Sequence, residues 1–110
     1  MTPAEHDEAC AVVSHLPHLF SSVYLEAFFA DRKDWVALGG TSFRDWVRIA
    51  GACPEIWVDI FWANRRRILA HVLRFQEKLQ EIISFLQEKD PEKLQAFLAE
   101  VFRLKEDLKR

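Results

Sequence analysis

Two histidines three residues apart, His15 and His18, bracket Leu16 and Pro17 in the stretch SHLPHLFSS, Ser14 to Ser22. Imidazole titrates nearest neutrality of all side chains, so such a pair can move protons, hydrogen-bond an anion or ligate a metal. At helical spacing His15, His18 and Ser22 fall at i, i+3 and i+7 and share one face, while Val12, Val13, Leu16, Leu19, Phe20 and Val23 occupy much of the rest. Pro17 has no N–H for the carbonyl of Val13 and its ring crowds that carbonyl, so the helix should kink here at a cost of about 3 kcal/mol unless packing offsets it. No Asp, Glu or Cys completes a recognisable ligand set with the two rings, and a metal is not expected. Two readings stay open: histidines satisfied in the core or partly exposed, and a polar ligand pocket laid into an apolar helix.

The second chemically suggestive stretch is SFRDWVRIA, Ser42 to Ala50, where Arg48 lies one turn after Arg44 and three residues after Asp45. A guanidinium on a short helix behind a glycine-containing loop can present its planar fork to a carboxylate; it can equally form a solvated pair with Asp45. Arg65, Arg66 and Arg67 form a cluster without aromatic interleaving, read as solvated or subunit-bridging. Trp35, Trp46, Trp57 and Trp62 are more often core than ligand platforms, although Trp57 follows Arg48 closely enough to share its site. Cys10 and Cys53 make neither a CxxC nor a zinc-like set.

The elements that must position these groups are helical nearly throughout, and the fold class is all-α. The 110 residues are 50% apolar, enough for one domain, residues 1–110, with a core of its own. With 15 basic against 17 acidic residues, the net charge of −2 supplies no field for nucleic acid or anionic lipid. No apolar run approaches the roughly 20 residues a membrane span needs, and Met1 to Ala11 is polar and acidic where a secretory leader would be basic and then apolar. A soluble, cytoplasmic protein is expected.

The first helix opens at TPAE, with Thr2 as cap, Pro3 at the first helical position and Glu5 closing a capping box, and runs to about Ala30 through the kink. Asp31 to Ser42 is a loop holding the only glycine pair. Ser42 and Asp45 suggest the cap of a short second helix ending near Gly51. Pro54 starts a third helix with no stop before Lys89 to Pro91, about 35 residues or about 52 Å, and Asp90 caps the last. Ile68, Val72, Phe75, Leu79, Ile82 and Leu86 on one side, and Leu94, Phe97, Val101, Leu104 and Leu108 on the other, predict an antiparallel hairpin of the long and C-terminal helices. Ile56, Trp57, Ile60, Phe61 and Trp62 exceed what one short helix can bury, which predicts an interleaved dimer. The alternative is a break near Asn64 and a monomeric bundle.

HDEACAVVSHLPHL, a glycine-containing loop, SFRDWVRIA and CPEIWVDIFWANRRRIL, in that order, closely resemble the C-terminal domain of prephenate and arogenate dehydrogenases, which oxidatively decarboxylate prephenate or arogenate with NAD or NADP in the tyrosine pathway. The likeness runs from about His6 to Phe75 and plausibly onward. It implies an all-helical domain that dimerises and completes the substrate pocket facing a nucleotide-binding domain. It further implies that His15 and His18 line that pocket, that Arg48 binds a substrate carboxylate, and that Trp57 lies at or near it, reaching toward the neighbouring subunit's site. Tyrosine is a further candidate ligand. Where family members often carry a glycine run directly before the Phe of FRD, Thr41 and Ser42 stand here, with Gly39 and Gly40 displaced upstream.

No GxGxxG follows a strand pattern in these residues. The expectation is that NAD or NADP and the family's principal catalytic histidine belong to an N-terminal nucleotide-binding domain absent from these residues, in cis or as a separate chain, and that this chain alone binds no dinucleotide and is inactive. The alternative function is a stand-alone helical dimer that binds an aromatic acid such as tyrosine without catalysis.

Overall fold

The computed structural model describes residues 1–109, and among them every regular element is helical. The chain divides into two compact units, Met1–Val72 and the residues from Leu73 onward.

In the first unit, α1 (Pro3–Cys10) begins as its capping chemistry dictates. The Glu5 amide donates to Thr2 Oγ1 at 3.1 Å, and the Thr2 amide donates to Glu5 Oε2 at 2.8 Å. The backbone then widens into a π-turn across Ala11–His15, where the Leu16 N–H reaches back to the Ala11 carbonyl, and continues as α2 (Leu16–Phe29). The expected kink therefore takes the form of a π-turn just ahead of Pro17. Proline supplies no donor for the carbonyl of Val13, and a wider turn relieves the crowding that its ring would impose on an α-helical register. The i→i+5 closure also aligns Ala11 with Leu16, and both are buried together with Ile68 of α5.

A 3-10 segment, Lys33–Leu38, leads through Gly39 and Gly40 to α3 (Thr41–Val47). The proposed cap at Ser42 is not used. Gly40 occupies the cap position in extended conformation with no side-chain bond, so the cap lies two residues earlier. Gly39 packs directly against this start: a Cβ there would lie 2.1 Å from the Phe43 ring, and Arg44 Nη1 donates to the Gly39 carbonyl at 3.3 Å. The glycine thus has a packing reason within the domain. Ser21, fully buried on α2, donates its hydroxyl to the Trp46 carbonyl at 2.7 Å and ties α2 to the end of α3.

The long third helix is interrupted. α4 (Pro54–Ala63) and α5 (Arg65–Gln87) are separated by Asn64 alone, at φ −112° and ψ 22°. Apolar periodicity continues through this point, but the alternative of a break near Asn64 is the one realised; the buried Asn64 amide bonds to α1 rather than facing solvent. Of the apolar residues expected to be shared with a partner, Trp57, Ile60 and Phe61 are half-buried within the chain, while Ile56 and Trp62 are exposed.

In the second unit, α5 ends in a left-handed residue, Lys89 (φ 53°), and the Asp90 N–H returns to the Phe85 carbonyl at 3.0 Å. Asp90 Oδ1 then accepts from the Lys93 amide, capping α6 (Pro91–Asp107) as expected. Ile82, Phe85, Leu94 and Phe97 are half-buried near this turn. Further along α6, Val101 and Leu104 are exposed and Leu108 is 68% exposed. No helix among the described residues is long and apolar enough to cross a membrane.

Candidate functional site

The π-turn and Pro17 set His18 one turn into α2, and Pro54 at the first position of α4 sets Trp57 at the start of the facing helix. Their rings stack, with centroids 4.0 Å apart and planes 26° from parallel. Phe61, one turn further along α4, lies 5.4 Å from Trp57. Together with Ser22, Gly51 and Val58 these residues line a mostly apolar cavity of about 300 Å³. Gly51 closes one side with φ +77°, a backbone state that side-chain-bearing residues rarely adopt. The Ser22 hydroxyl donates to the His18 carbonyl at 2.9 Å. His18 Nδ1 is buried without a hydrogen-bond partner, an unmet polar atom beside the aromatic cluster. Such a slot suits a flat ring carrying a polar substituent.

Of the residues singled out in the sequence, His18 and Trp57 are thus brought together. His15 is not part of that wall. It meets Phe61 edge-on at 6.4 Å and is 3.3 Å, through Nδ1, from Asn64 Nδ2. Both histidines thus face α4, His18 at Trp57 and His15 one turn further along at Phe61 and Asn64. Arg48 follows the last residue of α3, its side chain 76% exposed and its guanidinium 3.9 Å from Asp45. It lies outside the lining of the His18 cavity.

Sequence reasoning missed a polar cluster beside His15. Asn64 Nδ2 donates to the Asp7 carbonyl at 2.9 Å, and Asn64 Oδ1 accepts from Arg67 at 3.4 Å. Arg67 Nε also meets Glu8 at 3.3 Å, and Glu8 holds His71 through its second oxygen. Of the arginine triple, then, Arg67 is an internal tie between α5 and α1, while Arg65 lies over the Trp62 ring at 4.7 Å. The available signal was an asparagine directly behind the apolar run DIFWA, where an amide has no reason to continue a helix.

A second cavity, about 490 Å³, shares Ser22 and Gly51 with the first and is lined further by Leu25, Phe29, Lys33 and Val36.

Comparison with known proteins agrees with this architecture. The chain is 30% identical over 99 residues to the prephenate dehydrogenase of Bacillus subtilis (strain 168), covering 86% of this chain and 26% of that protein. It superimposes on Synechocystis arogenate dehydrogenase with a TM-score of 0.85 at 27% identity, covering 97% of this chain and 40% of that one. On prephenate dehydrogenase from A. aeolicus, solved in complex with hydroxyphenyl propionate and NAD+, the TM-score is 0.86 at 28% identity over 99% of this chain and 39% of the other. The chain therefore spans between about a quarter and two fifths of these relatives. The sequence pattern described as prephenate dehydrogenase, dimerization domain, matches residues 2–100, and the chain belongs to that family.

Proposed function

We propose that this chain pairs the subunits of a cytoplasmic prephenate or arogenate dehydrogenase and supplies one side of its substrate pocket. The observation that carries the reading is the stack of His18 on Trp57 at the wall of an apolar cavity of about 300 Å³. A slot of this kind desolvates a six-membered ring and leaves the His18 imidazole as the polar atom within reach. Arg48, exposed in the single chain, is the residue proposed to orient a carboxylate. Prephenate carries two carboxylates and loses one as CO2; clamping the retained group orients the substrate, whereas pairing the departing one tightly would oppose its loss.

The homodimer is supported by apolar surface that the chain leaves uncovered: Val13, Ile56 and Trp62 in the first unit, Val101, Leu104 and Leu108 in the second. Surfaces of this kind belong against a partner. NAD or NADP would accept the hydride in the complete enzyme. The described residues hold no strand and no strand-to-helix glycine turn, so they do not fit the dinucleotide's pyrophosphate, and the cofactor is assigned to a nucleotide-binding domain in cis or on a separate chain.

The test is titration of the protein joined to its nucleotide-binding domain with prephenate, arogenate, hydroxyphenyl propionate and tyrosine. Binding of the first three that falls at least tenfold in Trp57→Leu supports the reading. Binding of tyrosine alone, with no oxidation of prephenate or arogenate, overturns it in favour of a non-catalytic module.

A further inference from the structure

We infer that Asn64 is a positioning residue that holds His15 as the neutral tautomer with its hydrogen on Nε2. Asn64 is the single non-helical residue between α4 and α5 and is 8% exposed. Its amide has two partners whose roles cannot be reversed. The Asp7 carbonyl, 2.9 Å from Nδ2, can only accept. The Arg67 guanidinium, 3.4 Å from Oδ1, can only donate. Turning the amide over would set oxygen against oxygen on one side and N–H against N–H on the other. Its orientation is therefore fixed by chemistry rather than by a choice between look-alike atoms.

With the amide so fixed, its second N–H faces His15 Nδ1 at 3.3 Å. An amide nitrogen cannot accept, so Nδ1 must present its lone pair and the ring hydrogen sits on Nε2. Protonation would set Nδ1–H against this N–H, with Arg67 behind it. The charged groups around the pair reinforce the arrangement: Glu8 is occupied by Arg67 and His71, and the Asp7 carboxylate is paired with His6 at 3.5 Å. Phe61 contributes only an apolar edge. His15 thus offers an uncharged N–H donor.

His15 lies outside the lining of the His18 cavity, so a ligand role for this donor rests on the assembled pocket proposed above and not on the cavity of the single chain. There, an uncharged donor would align a carboxylate or carbonyl oxygen without the strong pairing that a cation imposes.

The experiment is long-range 1H–15N correlation of the histidine rings in the full chain at pH 8, for wild type, Asn64→Asp and Asn64→Leu. Wild type should show Nε2 protonated and Nδ1 bare. Asn64→Asp, which offers only acceptors, should move the hydrogen to Nδ1, and Asn64→Leu should give mixed tautomers. A wild-type ring that carries its hydrogen on Nδ1 overturns the assignment even if neither variant folds. In a second arm, hydroxyphenyl propionate is added to the wild-type protein joined to its nucleotide-binding domain. A shift of His15 Nε2 places the donor at the ligand; unmoved His15 signals beside intact binding remove that role while leaving the pocket in place.

Discussion

The imidazole of His18 and the indole of Trp57 stack 4.0 Å apart, joining the helix that follows the π-turn to the helix that opens at Pro54. Removing either ring should open the cavity rather than unfold the domain, because the buried apolar core is Ala11, Leu16 and Ile68. Trp57→Ala is expected to cost about 1 kcal/mol or somewhat more in stability, the scale of an aromatic pair with part of its area, and to weaken aromatic-acid binding by more than tenfold. Thermal unfolding and ligand titration on the same variant separate the two effects.

Arg48 makes the converse case. With 76% of its side chain exposed and Asp45 at 3.9 Å, its pair contributes about 0.2 to 1 kcal/mol at most to folding. If it holds a carboxylate in the assembled pocket, Arg48→Ala should cost on the order of 2 to 5 kcal/mol of binding, and Arg48→Lys should recover only part of that. Equal losses on changing Arg44 would take Arg48 out of the site.

Ser21 is fully buried and its hydroxyl is bonded to the Trp46 carbonyl. Ser21→Ala should therefore destabilise the first unit by about 0.5 to 1.5 kcal/mol, the net contribution of one intramolecular hydrogen bond. Denaturant midpoints for wild type and variant measure it.

Lys89 sits at φ 53° in the turn between α5 and α6. A Cβ-bearing residue there is strained by about 1 to 2 kcal/mol, part of which glycine returns through its more flexible unfolded chain. Lys89→Gly should stabilise the second unit by about 0.5 to 1 kcal/mol. Amide exchange on α6 reads this directly.

The Cys53 thiol donates to Glu55 Oε2 at 3.1 Å. This bond first, and the Glu55 backbone N–H second, hold its carboxyl below the usual carboxylate range. A lowered folded pKa means that the stabilisation is present above the ordinary carboxylate range and is lost as pH falls through the lowered value. Carboxyl NMR titration should find Glu55 shifted down in wild type, still down in Cys53→Ser, and returned upward in Cys53→Ala.

Local chemistry in the sequence determined what local chemistry governs. The Thr2 and Glu5 capping box, the helix starts at Pro54 and Pro91, the Asp90 cap and the all-helical class follow from residues within a turn of one another. A kink near Pro17 was legible for the same reason, since a missing N–H is a property of one residue. Its form as a π-turn was not, because the choice of which carbonyl Leu16 reaches depends on what Ala11 and Leu16 pack against. Continuous apolar periodicity favoured one long helix, with a break near Asn64 as the alternative; the structure takes the break, and its partner is the Asp7 carbonyl, far away in sequence. The start of α3 was misplaced because Gly39 yields its Cβ position to the Phe43 ring, a packing relation that no cap rule contains. For the candidate site, residue types singled out His15, His18, Arg48 and Trp57 with their roles open, and the family resemblance implied the roles. Only the tertiary structure paired His18 with Trp57 and turned His15 toward Asn64, because helical spacing orders residues along one helix and cannot say which neighbouring helix each will meet.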